Sequence, residues 1–193
     1  MSASLPPSRT RILVIDDNPS IHDDFRKILG PAQPGEDVML EAEASLFGDK
    51  PIAEAEARVR FEIDSAHQGQ EGLARVERAL EEGRPYAMAF VDVRMPPGWD
   101  GVETISRIWK VSPELQVVIC TAYSDYSWED ILKRVGSTDS LVILKKPFDN
   151  VEVLQLAHAL TTKWRLTRQA KERLVELDRT VHRRTQELQA TNA

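Results

Sequence analysis

Two kinds of apolar spacing alternate along the chain. Short apolar runs occupy Arg11–Ile15, Ala87–Val91, Gln116–Cys120 and Leu141–Leu144, and each stops at a charged or hydroxyl residue. Runs of this length and composition read as strands buried on both faces of a parallel sheet. Arg60–Asp64 instead alternates apolar with polar, which predicts a half-exposed edge strand. Between these runs the apolar residues fall three and four apart. Ile21, Phe25, Ile28 and Leu29 stripe a first helix, with Ser20 and Asp23 spaced as its start and Gly30-Pro31 as its end. Leu73, Val76 and Leu80 stripe a second over 70–82, closed by Gly83, and Val102, Ile105, Ile108 and Trp109 a third, stopped by Ser112-Pro113. A fourth starts at Ser127, carries Trp128, Ile131, Leu132 and Val135, and closes at Gly136.

After Phe148 the pattern changes. Neither Gly nor Pro occurs again, so one helix of more than 40 residues is expected, a rod of ~60 Å. Val151, Leu154 and Leu156 should pack it on the sheet. Beyond Trp164 the spacing becomes 4-3-4-3 through Thr167, Ala170, Leu174, Leu177, Val181, Arg184 and Leu188. That is a coiled-coil seam, weakest at Thr167 and Arg184. The stripe is too narrow for a globular core, so a parallel homodimer through residues 164–190 is expected, not a helix folded back on its own domain.

Strands alternating with helices define an α/β fold around a five-stranded parallel sheet, doubly wound. The expected division is a loose leader over 1–10, a globular domain over 11–161 and the coiled-coil helix over 162–193. Within the domain, 31–59 lacks periodicity and is acidic. We expect a surface excursion there, anchored at Leu46-Phe47, with a short helix near Ile52–Val59.

Charge refines the picture. Lys163–Ala193 holds eight Lys/Arg against four Asp/Glu, so the remainder carries −10 of the overall −6. A basic tail invites a nucleic-acid reading, but one seam-bearing helix offers no second element to build a DNA-binding motif, and no nucleic-acid partner is expected. The single cysteine, Cys120, forbids an internal disulfide and is expected as a buried packing group. The first ten residues have no signal-peptide core, and no run approaches ~20 apolar residues. No membrane association and a cytoplasmic location are expected. Neither G-x-G-x-x-G nor G-K-[ST] occurs.

The strand ends carry the chemistry. One run stops at Asp16-Asp17, one at Asp92, one at Thr121, and one at Lys145-Lys146. In a parallel sheet all arrive at the same edge, where open α/β sheets bind ligands. Clustered carboxylates resist ionising unless a cation sits among them, and oxygen-only ligands point to Mg²⁺. A lysine and a hydroxyl beside it are fixtures for a phosphoryl group, with Asp92 as the nucleophile.

These residues carry a resemblance. Ile-Asp-Asp (15–17), Asp-Val-Arg-Met-Pro (92–96), Asp-Gly (100–101), Thr-Ala (121–122) and Lys-Pro-Phe (146–148) resemble, in order, the motifs of the response-regulator receiver domain of two-component signalling. The resemblance spans about residues 11–161 and implies a flavodoxin-like fold. It implies that Asp16, Asp17, Asp92 and the Arg94 carbonyl hold Mg²⁺, that Asp92 is the phosphoacceptor, and that Thr121 and Lys146 are the switch hydroxyl and the phosphate-binding lysine. The implied donor is a sensor histidine kinase or phosphotransfer protein. Three features depart from the family. Ile143 stands where an aromatic is common, 31–59 lengthens the first helix-to-strand connection, and Arg94 and Tyr123 flank the phosphorylation site.

The expected function is a non-enzymatic phosphoacceptor module, relaying through its coiled coil to an output module of kinase or diguanylate cyclase type. Thr-Gln-Glu-Leu-Gln-Ala (185–190) resembles the helices that join receivers to such modules, so the chain reads as the front of a longer protein. Two alternatives stand beside it: a constitutive dimerisation scaffold with a vestigial site, for which Ile143 speaks, and an aspartate-dependent phosphohydrolase. The latter needs a second acid two residues after the nucleophile, where Arg94 stands.

Overall fold

The computed structural model describes residues 10–30, 61–122, 128–136 and 138–191. Ten elements alternate: β1 (Thr10–Ile15), α1 (Pro19–Leu29), β2 (Phe61–Ala66), α2 (Gly69–Glu81), β3 (Met88–Asp92), α3 (Gly101–Val111), β4 (Gln116–Thr121), α4 (Trp128–Val135), β5 (Leu141–Lys145) and α5 (Asn150–Thr191). The expectations placed on residues 1–9, the 31–59 excursion with its short helix, Tyr123 and Ser127 lie outside the described residues.

All strands pair in parallel in the order β2-β1-β3-β4-β5. Their side chains alternate between two cores. Leu13, Ile15, Ala89, Val91, Val117 and Ile119 face α2, α3 and α4 with Val76, Ile105, Ile108 and Ile131. Ile12, Val14, Met88, Phe90 and Val118 face the other way, against Phe25 and Leu29 of α1 and Val153, Ala157 and Leu160 of α5. The interiors of β1, β3 and β4 therefore meet apolar neighbours on both sides, which is why unbroken apolar runs mark these strands. The expected doubly wound sheet and the edge position of β2 are both found.

Several local expectations shift. Among the described residues the edge strand runs Phe61–Ala66, ending two residues beyond its pattern. The N-cap of α1 is Asn18, whose side chain accepts the Ser20 N–H at 3.1 Å, with Pro19 opening the helix. Asn at the cap and Pro in the first turn satisfy the orphan donors better than a start at Ser20 would. In α5, Leu154 and Leu156 pack against the core as expected, beside the buried Val153, Ala157 and Leu160, whereas Val151 is exposed. Leu80 is likewise exposed near the end of α2. Continuity of α5 across 42 residues follows the absence of Gly and Pro. Among the described residues no helix is long and apolar enough to cross a membrane.

Candidate functional site

The sheet order reverses between β1 and β3, and the functional side chains gather at the carboxyl ends of those two strands. From β1 come Asp16 and Asp17. The Asp16 N–H donates to the Ala66 carbonyl at 3.1 Å and its Oδ1 accepts the Asn18 N–H at 2.9 Å, which bends the chain into α1. Its side chain is only 4% exposed, while Asp17 faces solvent.

Asp92 ends β3. Its Oδ2 accepts the Arg94 N–H at 2.9 Å. The following turn closes tightly: Gly101 N–H donates to the Val93 carbonyl at 2.8 Å, and Asp100 caps α3 by accepting the Glu103 N–H at 2.7 Å. A Cβ on Gly101 would stand 2.3 Å from the Asp92 carbonyl oxygen, so this Asp-Gly pair is required by backbone proximity.

Lys146 joins the two acids. Its Nζ donates to Asp92 Oδ1 at 2.6 Å and to Asp16 Oδ2 at 2.8 Å. Its own N–H donates to the Thr121 carbonyl at 2.8 Å, binding the β5 exit to β4. Two residues on, Phe148 lies 5.4 Å from the Phe25 ring, which itself stacks 4.5 Å from Phe90. The Lys-Pro-Phe motif is thus held at its backbone and by an aromatic foot on α1.

Burial raises the Asp92 pKa above the ordinary carboxylate value, opposed by the hydrogen bond and charge of Lys146 and reinforced by Asp16. Burial works to lower the Lys146 pKa, but the two carboxylates outweigh it and hold the ammonium charged, above its ordinary value. The Cys120 thiol, fully buried beside Asp92 in the ladder, is pushed up by burial and is a packing group, as expected.

The structure brings together Asp16, Asp92 and Lys146. Thr121 ends the neighbouring strand, buried, with its hydroxyl donating to the Ala122 carbonyl at 3.0 Å and not to this cluster. Arg94 supplies an N–H to Asp92, while its side chain is exposed. Among the described residues no three Asp, Glu, His or Cys side chains form one metal-binding group, so the meeting of three carboxylates is here a meeting of two across an ammonium. Two oxygen-donor carboxylates with one cation between them still suit a hard ion that keeps several of its waters.

Sequence reasoning missed His22. Its ring is buried, with Nε2 2.7 Å from the Asp16 carbonyl. A carbonyl only accepts, so Nε2 carries the proton. Burial lowers the His22 pKa, the carbonyl contact opposing and His67 adding to it. The His67 ring packs edge-on at 4.5 Å. His22 therefore braces the acidic loop from beneath. The available signal was its i, i+3, i+7 spacing with Phe25 and Leu29.

Comparisons agree with this geometry. The chain is similar to a CheY-like response regulator receiver domain protein from Methanospirillum hungatei JF-1, at 21% identity and TM-score 0.56, covering 83% of this chain and 99% of that one. It is similar to a structure titled adenylate cyclase from Rhodopirellula baltica, at 22% identity and TM-score 0.59, covering 87% and 98%. It also resembles NtrX from Brucella abortus in complex with ATP, at 22% identity and TM-score 0.56, covering 84% of this chain and 29% of NtrX. At such identities these likenesses speak for the fold. No curated protein matches the sequence significantly. Residues 52–158, more than half of the chain and including Asp92, Thr121 and Lys146, match the response regulator receiver domain family. With its five-stranded sheet and the acid pair bridged by Lys146, the chain belongs to the response regulator receiver domain family of two-component signalling.

Proposed function

We propose that Asp92 accepts a phosphoryl group from a histidine kinase or phosphotransfer protein and that α5 relays the change to an output module. The observation that carries this reading is Lys146 Nζ, 2.6 Å from Asp92 and 2.8 Å from Asp16 at the strand-order reversal. An Asp92 carboxylate oxygen forms the new O–P bond as the P–N bond of a donor phosphohistidine breaks, its electron pair returning to the imidazole. Lys146, already held at the nucleophile, neutralises the phosphoryl oxygens. Receiver domains generally bind Mg²⁺ at this position. Here Asp16, Asp17, Asp92 and the Arg94 carbonyl would hold it, and it would supply charge neutralisation of the phosphoryl oxygens. Thr121, one strand away, is the hydroxyl that a new phosphate would draw inward. The chain turns over no small substrate; it modifies itself, and any enzymatic output belongs to a module it controls. The single cysteine and the absence of a membrane-crossing helix among the described residues support a cytoplasmic setting.

The test is phosphoryl uptake from acetyl phosphate with Mg²⁺, read by phosphate-affinity electrophoresis and intact mass. Wild type gains one phosphoryl group and Asp92→Asn gains none. Equal labelling of both proteins would sink the assignment.

One observation favours a second reading, a constitutive scaffold. Ile143, where an aromatic is common in the family, is half-buried and packs against the apolar core, leaving no inward-swinging ring at that position. Identical hydrodynamic behaviour with and without beryllofluoride, in a protein that does take up phosphate, would favour it.

A further inference from the structure

The second half of α5 carries an apolar stripe that its own body leaves bare. Val153, Ala157 and Leu160 pack on the sheet, whereas Leu174, Leu177 and Val181 are 65%, 61% and 60% exposed. Steps of seven from buried Leu160 reach Thr167, Leu174 and Val181, and the positions between are Ala170, Leu177 and Arg184. Helices in proteins owe most of their stability to packing such a face. Two apolar positions in seven form a seam for another helix, not a surface for a globular partner.

We propose that this stripe takes a second copy of the same chain, as a parallel, in-register two-stranded coiled coil over residues 167–184. Its signalling role rests on the relay reading above, though the pairing itself does not. Charge favours the parallel register. There, Arg173 of one copy lies across from Asp178 of the other, twice by symmetry. Arg173 is exposed and has no ion-pair partner among the described residues. An antiparallel pairing centred on Leu174 and Leu177 would need Lys171 opposite Asp178, but Lys171 is already held by Glu114 of its own body at 2.5 Å. The parallel register also stacks Arg184 on Arg184. A charged layer at a seam position weakens the pair while specifying its register, and the long side chains relieve it by reaching to water.

The experiment uses the full chain, measured by sedimentation velocity over a range of concentrations without any phosphoryl donor. A concentration-dependent dimer is expected. Leu174→Lys with Leu177→Lys should raise the midpoint concentration at least tenfold, with phosphoryl uptake at Asp92 intact. Arg184→Leu should lower it by a similar factor. Val181→Cys should cross-link dimers under mild oxidation, since Cys120 is buried and cannot compete. A monomer at every concentration, or a dimer indifferent to the double lysine variant, overturns the proposal. So does a dimer that cross-links only when Ala170→Cys and Val181→Cys are combined, which reports antiparallel chains. Asp92→Asn is expected to dimerise as wild type does, so failure of the seam and failure of the phosphoacceptor reading are separately visible.

Discussion

Two charged clusters sit on the same sheet and are built on opposite principles. Near the strand starts, Arg11 donates to Asp64 at 2.6 Å, to the Tyr86 hydroxyl at 3.0 Å and to the Arg84 carbonyl at 2.9 Å. Tyr86 donates to the same Asp64 oxygen at 2.9 Å, and Arg84 pairs with Glu62 at 2.7 Å. Two cations meet two carboxylates, so the charges balance, although the buried Arg11 Nε makes no hydrogen bond and only faces Glu62 at 3.5 Å. At the strand ends, one ammonium serves both Asp16 and Asp92, with Asp17 adjoining. That second cluster carries an excess of negative charge in a partly dry place, so it has use for a further cation and for a group that brings its own. Buried charge alone does not mark a functional site; a buried charge set left incomplete does.

The comparison makes opposite predictions for the two acids. Asp92→Asn should abolish phosphoryl uptake, the largest effect expected, without lowering the unfolding midpoint. The sign follows from linkage. Burial raises the folded pKa of Asp92 above its ordinary value near 3.8. The folded protein then binds that proton more tightly than the unfolded chain, and the ionised form costs stability at neutral pH. That cost fades as pH falls toward 3.8, and an amide removes it outright. A clear loss of stability in Asp92→Asn by chemical denaturation would contradict this account of the site.

Gly101→Ala tests the turn that aims Asp92. The new methyl meets the Asp92 carbonyl at 2.3 Å, and backbone, unlike a side chain, cannot step aside. Uptake should slow roughly tenfold or more, with a stability loss of about 1–3 kcal/mol. Wild-type rates in this variant would show that the turn does not position the nucleophile.

Asp64→Asn breaks the balanced cluster instead. Arg11, whose side chain is 12% exposed, loses its nearer carboxylate and keeps only Glu62 at 3.5 Å. We expect about 2 kcal/mol of destabilisation with phosphoryl uptake unchanged. Tyr86→Phe should have the smallest effect, about 1 kcal/mol. Burial and Asp64 raise the Tyr86 phenol above its ordinary value of 10. Its contribution is therefore complete below pH 10 and drains away as pH rises beyond it. Thermal unfolding between pH 8 and 11 should fall more steeply for wild type than for Tyr86→Phe, and parallel curves would remove Tyr86 from the network.

Strands and site residues were legible for a common reason. A strand with helices on both sides must be apolar throughout, so Ile12–Ile15 and Met88–Val91 announce themselves, and a carboxylate ending such a run marks the sheet's exposed edge. Asp16, Asp92 and Lys146 were found that way, and they meet as expected. His22 was not. Its neighbours in sequence read as an ordinary amphipathic helix, and only the approach of α1 to the β1 exit turns one polar position on its inner face into a brace for Asp16. The pairing of Arg11 with Asp64 and Tyr86 was equally invisible, because none of the three closes an apolar strand run and no local pattern marks them as partners.

The division has a physical basis. Periodicity, turn chemistry and the type of residue closing each strand are local properties, and they determined the number and order of elements, the continuity of α5 and the identity of the acids. Which oxygen meets which ammonium, which face of α5 lies on the sheet, and which carboxylate is buried depend on how separate elements settle against one another. Asp16 and Asp17 show the limit plainly. They are adjacent and chemically identical, yet one is enclosed and bonded to Lys146 while the other faces water. Side chains of consecutive residues diverge as a strand gives way to a loop, and only packing decides which of the two is sealed in.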